Sequence, residues 1–439
     1  RGRAGRTRPG LCFRLLRQEE LAGLEAATPP EAQRMPLENL YLQVCASGVR
    51  DRPGFLAGLP DPPSEAVVAR AEEALDALGA LDSSAGDGLS ALGRHLALLP
   101  CHPRLGKALL LGCLLGCPRP CLKAAGVLSV RSPLLSTQDS PQRSRWEGHR
   151  RRLLERVGCR SDPCALAWLL CAWQVAGDGG RQRLCEDYGL RWEDMEQANA
   201  SARELAEHLA SQGFLTQQEL RTALRAPGAA AEPREVNWTL VRSALTGGFY
   251  PLVLCADRQV PAGLRGPGRA WMKYWIQLPG QGPQQAHLHP SCLCAAEEHY
   301  QCPYLAAFAV QRTRQLYAYD VTEAVPLALL LFGEEPVYEA KTCELVVGGW
   351  PRFRCVAGDR LLPLLLAARL AVSDVLARKL EDPSFDHGAS RELGAIRLLL
   401  GTNGLGFERV QALTLPGQAP RPGRPDGRGG VPVTPHAKK

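Results

Sequence analysis

The residues with the clearest capacity for chemistry are the arginines that alternate with small residues at the start of the chain. Residues 1–10 read Arg-Gly-Arg-Ala-Gly-Arg-Thr-Arg-Pro-Gly. A guanidinium is planar and permanently charged, so it meets phosphate oxygens through paired N–H bonds. Arginines suit phosphate contacts for this reason, while Arg/Gly-rich stretches are also common as tethers that bind nucleic acid with little sequence preference.

Further cations lie in the middle of the chain and in its C-terminal half. Residues 141–160 carry seven arginines, which are Arg143, Arg145, Arg150, Arg151, Arg152, Arg156 and Arg160. Glu147 and Glu155 oppose them, so the run predicts either a phosphate-facing patch or a solvated helix face. Lys273, Arg312 and Arg314 fall on predicted strands or their connecting loop.

Other residues with ligand character do not form a predicted metal site. The nearest groupings are Cys113, Cys117 and Cys121, the pair Cys292 and Cys294, and the pair His287 and His289. Zinc needs four convergent ligands, and prolines interrupt the helical face of the first group. We predict no metal, with the cysteines as small buried hydrophobes and the two histidines as residues that line a barrel.

Composition favours a globular intracellular protein. The 439 residues have a net charge of +7 and are 45% hydrophobic, which suits several ordinary domains and an anionic partner. The sixteen cysteines show no even framework, which predicts reduced thiols. No stretch resembles a secretory signal or reaches transmembrane length. We expect no membrane contact and a location in the cytoplasm or nucleus, with an organelle left open.

The first half of the chain is predicted to be helical. A strand and a short helix over residues 11–24 indicate that residues 1–26 end an α/β lobe. Residues 27–100 predict a winged helix, because helices over 31–44 and 67–78 are followed by a wing-like turn and a short helix within 89–100. Ser64 and Gly79 are the expected caps of the second helix. Residues 101–226 read as a helical bundle with loops at 131–145 and 177–180.

The character changes to β after a linker at residues 226–235. Short runs with aromatic and β-branched residues predict a five-stranded barrel of the OB-fold type over 235–358. The runs are YWIQLP, QAHLHP, YLAAFAVQ, QLYAYDV, CELVVGG and PRFRCVA. Helices are predicted over 359–400 and a disordered tail over 401–439, which is rich in Pro, Gly and Arg from 415. The predicted fold is multidomain, mainly α followed by β.

Several blocks resemble one family in order and spacing. Residues 1–10 resemble the sixth signature motif of the DEAH/RHA RNA helicases, Q-x-x-G-R-A-G-R followed by Pro-Gly. Similar matches to the C-terminal half of that family lie at residues 30–43, 78–82, 89–94, 103–110, 129–134, 161–173, 245–251, 287–293 and 329–333. Trp350 and Phe353 resemble the longer RHA-type members. His102 and Pro163 depart from the family pattern, and the barrel strands diverge from it.

The resemblance implies roles in nucleotide hydrolysis. Residues 1–26 would be a remnant of the second RecA-like lobe, and the motif would begin before residue 1, so we expect a truncated chain. Arg3 and Arg6 would be fingers that reach the γ-phosphate of ATP, with Gly5 beside it, and such a finger is worth ~10³–10⁵ in turnover. No G-x-x-x-x-G-K-[ST] and no D-E-x-H occurs in the sequence. ATP and Mg²⁺ would therefore serve the full-length parent, and this chain alone should bind neither and be inactive.

The resemblance also implies an RNA partner. The helical bundle would be a ratchet domain that closes with the barrel over single-stranded or structured RNA. The candidate RNA-binding residues are Arg143, Arg145, Arg151, Arg152, Lys273, Arg312 and Arg314. Lys107 is expected to have a structural role, and a protein activator on the winged helix is a further candidate partner. The alternative function is a non-enzymatic RNA-binding or scaffold protein that retains only the accessory domains of a helicase.

Overall fold

The computed structural model describes residues 37–137, 140–224, 236–259, 271–278, 281–297, 299–402 and 411–412, with single positions between 8 and 19. Arg3, Gly5 and Arg6 lie outside the described residues, as does most of the predicted lobe remnant at 1–26. The described elements share one hydrophobic core that runs from Leu37 to Leu400. No helix within them is both long enough and apolar enough to cross a bilayer.

Four helices precede the bundle: α1 (Glu38–Ala46), α2 (Arg52–Ala57), α3 (Glu65–Leu78) and α4 (Ala91–Ala97). As predicted, α3 follows Ser64 and is capped at its C-terminus by Gly79, whose left-handed φ of 80° favours glycine, although the Ser64 side chain makes no capping bond. A single antiparallel bridge joins Leu81 to Leu89 between α3 and α4. Gly93 lets α4 approach that segment, because a Cβ there would lie 2.0 Å from the Ala80 carbonyl oxygen.

The helical bundle contains α5 (Pro103–Leu114), α6 (Pro118–Leu128), α7 (Arg143–Val157), α8 (Asp162–Val175), α9 (Asp178–Tyr188), α10 (Trp192–Ser211) and α11 (Gln217–Leu224). Proline in the first turn starts α5, α6 and α8, where its missing N–H costs nothing. The helix α6 packs against both α8 and α10. The prediction of a loop at 177–180 is wrong in part, because α9 already begins at Asp178, directly after the extended Gly177.

A closed five-stranded barrel follows α12 (Trp238–Phe249). Its strands are β1 (Val253–Gln259), β2 (Trp271–Gln277), β3 (Pro283–Leu288), β4 (Tyr304–Arg312) and β5 (Leu316–Glu323). They close in the order β1-β2-β3-β5-β4, with only β3 and β5 parallel. A 3₁₀ turn, Leu293–Ala296, connects β3 to β4. The predicted helical region followed by a five-stranded barrel is therefore confirmed.

The strand assignments need two corrections. The run VLCADRQ forms β1 of the barrel and was not predicted. The runs CELVVGG and PRFRCVA were assigned to the barrel, but they form β7 (Glu344–Val347) and β8 (Arg352–Arg354) of a separate sheet that also contains β6 (Pro336–Glu339) and β9 (Gln411–Ala412). Helix α13 (Pro326–Phe332) separates the barrel from this sheet, because its buried leucines pack on α12.

The remaining helical elements are α14 (Gly358–Glu381), a 3₁₀ turn at His387–Ala389, and α15 (Arg391–Gly401). The prediction of a disordered tail from residue 401 differs from the structure at four described residues, one of which, Thr402, donates to the Leu398 carbonyl at the end of α15. Gly401 ends α15, and Gln411 and Ala412 pair with β8. They satisfy backbone groups that an edge strand would otherwise leave unpaired. The rest of the segment after Thr402 lies outside the described residues.

Candidate nucleic-acid interface

Helix α7 carries most of the arginine-rich segment and presents two different faces. Its buried face consists of Trp146, Arg150, Leu153, Leu154 and Val157. These positions follow the helical repeat, so the residues between them lie on the solvent side. Arg143, Arg145, Arg151 and Arg152 all belong to that exposed side.

Two of the four candidate arginines on α7 are already neutralised by carboxylates. Arg143 Nε lies 2.8 Å from Glu147 Oε1, one helical turn further along. An Arg145 guanidinium nitrogen lies 2.6 Å from Asp187 Oδ1 on α9. Both arginine side chains remain more than half exposed, at 61% and 51%, so each ion pair is weak in water. A phosphate would have to compete with these carboxylates.

The other two candidates on α7 are free cations. Arg151 and Arg152 are exposed, and neither makes a hydrogen bond or an ion pair with any described residue. One turn further along, the Arg156 guanidinium lies over the Trp168 ring at 5.1 Å, an arrangement that fixes the cation without neutralising it. The C-terminal half of α7 is thus the more available phosphate-binding surface.

Two arginines of the same segment are structural instead. Arg150 is buried and donates from Nε to the Tyr188 carbonyl at 3.0 Å and from an η nitrogen to the Leu135 carbonyl at 3.0 Å. Burial lowers its pKa to about 10. Arg160 Nε lies 3.0 Å from Glu297 Oε2, which follows the 3₁₀ turn of the barrel. The arginine-rich run therefore mixes surface cations with internal ones.

Asp162, at the start of α8, fastens the bundle to the barrel. Its Oδ1 accepts from the Cys294 N–H at 2.9 Å and its Oδ2 from the Val321 N–H at 3.1 Å. Burial raises the pKa of this carboxyl, while the two backbone donors oppose the shift. The neighbouring Ser161 forms an antiparallel bridge with Thr322 of β5. This explains the Ser-Asp pair of the sequence: it joins two domains by directional bonds.

A buried ion pair lies beside this junction, between α12 and the barrel strand β5. Arg242 of α12 lies 3.6 Å from Glu323 Oε2 at the end of β5, and Arg242 Nε donates to the Glu323 carbonyl at 3.0 Å. The other carboxylate oxygen of Glu323 accepts from the backbone N–H groups of Gln301 and Cys302. Both charges of this pair therefore have partners, and α12 is held against the end of β5.

The barrel candidates differ in how available they are. Arg314 is exposed in the β4–β5 turn and has no hydrogen bond or ion pair within the described part of the chain. Arg312 donates to the Gln284 side chain on β3. Lys273 of β2 is half-buried and lies opposite Asp257 of β1. Arg314 is therefore the freest cation of the three.

His287 and His289 do not line the barrel interior, contrary to the prediction. Along β3 the inward positions are Ala286 and Leu288, which are buried, so His287 faces outward. His289 stacks on Tyr319 with ring centroids 4.4 Å apart. Tyr317 and Tyr319 are surface residues that sequence reasoning missed, although their alternation in QLYAYDV was a usable signal.

Lys107 occupies an internal structural position. Its ammonium donates to the Leu78 carbonyl at 2.8 Å and the Phe332 carbonyl at 3.0 Å, which close the ends of α3 and α13. Cationic donors suit the negative ends of helices. The cysteines within the described ranges are free thiols, and no cluster of three potential metal ligands occurs among the described residues.

Comparison with protein families identifies two regions. The family described as "Helicase associated domain (HA2), ratchet-like" matches residues 102–166. The family described as "Oligonucleotide/oligosaccharide-binding (OB)-fold" matches residues 241–336. The first match covers α5 to the start of α8, and the second covers most of α12, the barrel and α13. Both fall on the structural regions that carry the candidate cations.

Similar curated proteins are helicases from animals and plants. The "ATP-dependent DNA/RNA helicase DHX36" of Mus musculus is 28% identical over 408 residues, covering 91% of this chain. The "DExH-box ATP-dependent RNA helicase DExH1" of Arabidopsis thaliana is 28% identical over 389 residues, covering 88%. The "ATP-dependent RNA helicase DHX29" of Mus musculus is 27% identical and covers 91%. This chain spans only 38%, 36% and 28% of their respective lengths.

Proposed function

This chain belongs to the DEAH/RHA helicases as part of their C-terminal region, and on that basis we propose that it holds single-stranded or structured RNA for an ATP-dependent RNA helicase. The observation that carries the proposal is the pair of free, exposed arginines, Arg151 and Arg152, on a ratchet-like bundle bonded directly to an oligonucleotide-binding barrel. Arginine in such a position binds the phosphate backbone without reading its sequence.

Each region would contribute a different part of the grip. Arg151 and Arg152 would contact phosphates on the bundle side, and Arg314, with Lys273 and Arg312, would contact them on the barrel side. Arg143 and Arg145 would join once RNA phosphate displaces their carboxylates. The junction through Asp162 and Glu323 would keep the two surfaces at a fixed spacing while RNA passes between them.

In the full-length helicase, we propose that Arg3 and Arg6 contact the γ-phosphate of ATP, beside Gly5, with Mg²⁺ held by residues outside this sequence. Arg6→Ala should collapse turnover and leave nucleotide affinity largely intact, since such a finger acts mainly in the transition state. Lysine should rescue poorly because it lacks the paired donors. Steady-state ATP hydrolysis and nucleotide binding measured in the same preparation test this, and unchanged turnover would refute the assignment.

The finer domain assignments belong to the same proposal. Residues 27–100 would be the winged helix, with a protein activator on its surface, and residues 1–26 would end a RecA-like lobe. Residues 101–226, 235–358 and 359–400 would be the ratchet bundle, the OB-fold and the C-terminal helices, and the protein would act inside the cell. The second candidate is a scaffold that retains the accessory domains of a helicase and binds RNA without hydrolysing ATP. RNA-stimulated phosphate release by the purified chain would contradict both candidates for the chain on its own.

RNA binding at different salt concentrations tests the main proposal. Neutralising Arg151 and Arg152 to glutamine should weaken binding of a fluorescent single-stranded RNA. It should also flatten the slope of log K against log salt by ~0.7 for each arginine. Arg70→Gln is the matched control, because Arg70 is an exposed arginine on α3. Equal affinity and slope in the Arg151/Arg152 variant and the control would mean that the exposed side of α7 is only solvated and does not contact RNA.

A further inference from the structure

A cavity of about 370 Å³ lies where five helices meet, away from the arginines of α7 and from the barrel strands. Its lining comes from the end of α3, the start of α4, α5, the end of α13 and the middle of α14. Most of the wall is apolar, with buried side chains that include Leu78, Leu110, Leu111, Leu331, Val372 and Leu376. Sites for small molecules are typically mostly apolar and about 300–1,000 Å³ in volume. We name this space the five-helix cavity.

Two cationic side chains interrupt the apolar wall of the five-helix cavity. Lys107 of α5 is 7% exposed, and Arg369 of α14 is half-buried. The Lys107 ammonium uses two of its three N–H groups on the carbonyls that end α3 and α13, and the third has no acceptor among the described residues. Arg369 donates to the Leu330 carbonyl at 3.1 Å and the Gly333 carbonyl at 2.7 Å, which uses two of its five N–H groups. Both side chains therefore keep donors for a further acceptor.

The two cations have no counter-ion in the described part of the chain. Neither Lys107 nor Arg369 makes an ion pair there. Each helix end that they contact carries at most roughly half a negative charge, so two such ends offset about one of the two positive charges. Desolvation, together with the charge of Arg369, lowers the pKa of Lys107 from 10.5 to about 7. An anion in the cavity would supply the missing negative charge, because uncompensated charge is costly where water is scarce.

Carboxylates lie at the solvent side of the same cavity. Asp76 near the end of α3 and Glu334 after α13 are exposed lining residues. Glu334 also accepts a hydrogen bond from the Tyr250 hydroxyl at 3.2 Å. The inner end of the cavity is thus positive and its mouth negative. This arrangement suits a ligand with one negative charge and an apolar tail, because a doubly charged head would be repelled more strongly at the mouth.

We propose that the five-helix cavity binds a small carboxylate with an unbranched apolar tail, with the head between Lys107 and Arg369 and the tail along the leucine wall. The Arg369 fork would hold both carboxylate oxygens, and the third N–H of Lys107 would add a charge-assisted bond. The inference goes beyond RNA binding and does not depend on it. Because the ligand would contact all five helices, it would stabilise the folded chain by mass action.

Calorimetric titration of the unmodified chain with decanoate, below the concentration at which it forms micelles, tests the proposal. We expect one site. Decanol keeps the tail without the charge and should bind roughly tenfold more weakly or worse, since it loses the charge-assisted bonds. Acetate keeps only the head and should bind roughly 100-fold more weakly or worse, since it buries no chain of CH₂ groups. Absence of decanoate binding, or equal binding of decanol, would overturn the proposal. Tighter binding of decyl phosphate would overturn the carboxylate assignment.

The same titration at several pH values tests the position of the head. The charged groups in the cavity lining besides Lys107 are Arg369, Asp76 and Glu334. Lys107 is mostly protonated at pH 6 and loses its proton as the pH rises through 7. A bound carboxylate needs that proton, so decanoate affinity should fall above pH 7 by up to about tenfold per pH unit. Decanol should show no such fall. Decanoate affinity that stays constant from pH 6 to 9 would overturn the contact with Lys107.

A variant that fills the cavity locates the site without removing either cation. Ala77 of α3 is a half-buried lining residue, so Ala77→Phe should place a ring in the space of the tail and abolish decanoate binding. Ala69→Phe is the matched control, because Ala69 is exposed on the same helix and lies outside the lining. It should bind decanoate like the original chain. Circular dichroism checks that both variants fold. A folded Ala77→Phe variant that binds decanoate as tightly as the control would overturn the proposed site.

Discussion

The exposed arginines of α7 and the buried Arg242 beside the bundle–barrel junction are the same residue type in opposite surroundings. Arg151 and Arg152 extend into solvent and make no hydrogen bond or ion pair with the described part of the chain, whereas Arg242 is buried against Glu323. An exposed guanidinium loses little when its neighbours change, because water replaces them. A buried one depends on each partner, since removing that partner leaves an unpaired charge. Burial, more than local arginine content, therefore distinguishes arginines that can bind phosphate from arginines that stabilise the fold.

The largest difference between the two regions is expected in stability. Glu323→Ala should lower the free energy of unfolding by ~3–5 kcal/mol, because it strands the buried Arg242 charge. It also removes the acceptor of the Gln301 and Cys302 N–H groups. Glu147→Ala is the matched control on α7, where an exposed pair with Arg143 predicts a loss of ~0.5 kcal/mol or less. Urea denaturation of both variants measures the difference.

One outcome would break this part of the comparison, and a second would assign the loss to one of its two causes. Equal midpoints for the Glu323→Ala and Glu147→Ala variants would mean that water solvates the junction freely. A Glu323→Gln variant as unstable as the alanine variant would mean that the ion pair dominates. The amide keeps an oxygen acceptor for the two N–H groups, so we expect it to fall between the original chain and alanine.

A second difference is expected in the response to pH. Desolvation, together with the neighbouring Asp162 carboxylate, raises the pKa of Asp320 from 3.8 to about 7. The folded chain then keeps a proton between pH 4 and 7 that the unfolded chain has lost. Stability supplied by this group is complete below pH 4 and is lost as the pH rises through 7, by up to ~1.4 kcal/mol per pH unit.

Asp320→Asn isolates that effect. Asp320 has a left-handed φ of 51°, a conformation that asparagine also tolerates. Between pH 4 and 7 the melting temperature of the variant should fall less than that of the original chain. The variant should therefore be the more stable of the two proteins at pH 7. Glu155→Gln on the exposed side of α7 is the control and should leave the pH profile unchanged. A steeper fall in the Asp320→Asn variant would contradict the assigned direction.

Local signals made parts of the fold predictable. Helix α3 is followed by Gly79, and α5 has Pro103 in its first turn, so the residues at each boundary predict where the helix ends or begins. Strand β1 carries no such signal, because Asp257 and Arg258 interrupt its apolar run. The strands β7 and β8 were recognisable as strands, yet only their pairing shows that they lie outside the barrel.

The candidate site was predictable only where burial follows helical phase. Arg150 lies four residues after Trp146 and joins the buried face, whereas Arg151 and Arg152 fall between buried positions. The contacts of His287 and His289 with Tyr317 and Tyr319 had no local signature, because they depend on the parallel pairing of β3 with β5, about thirty residues apart in the chain. The Asp162 contacts with Cys294 and Val321 are likewise long-range.

The smallest expected effect concerns Arg145, which is exposed like Arg151 and Arg152 but ion-paired like Arg242. Its ion pair with Asp187 is half exposed, so Asp187→Asn should change stability by ~0.5 kcal/mol or less. The same change frees the guanidinium for RNA phosphate. If Arg145 faces the RNA, the variant should bind single-stranded RNA more tightly, and its slope of log K against log salt should steepen by up to ~0.7.

Asp178→Asn at the start of the same helix α9 is the control. It adds equal positive charge without releasing Arg145, and it should raise affinity less. Equal gains in both variants would mean that only net charge matters and that Arg145 makes no direct contact. No gain in either would place the N-terminal half of α7 outside the RNA-binding surface and leave Arg151 and Arg152 as its margin.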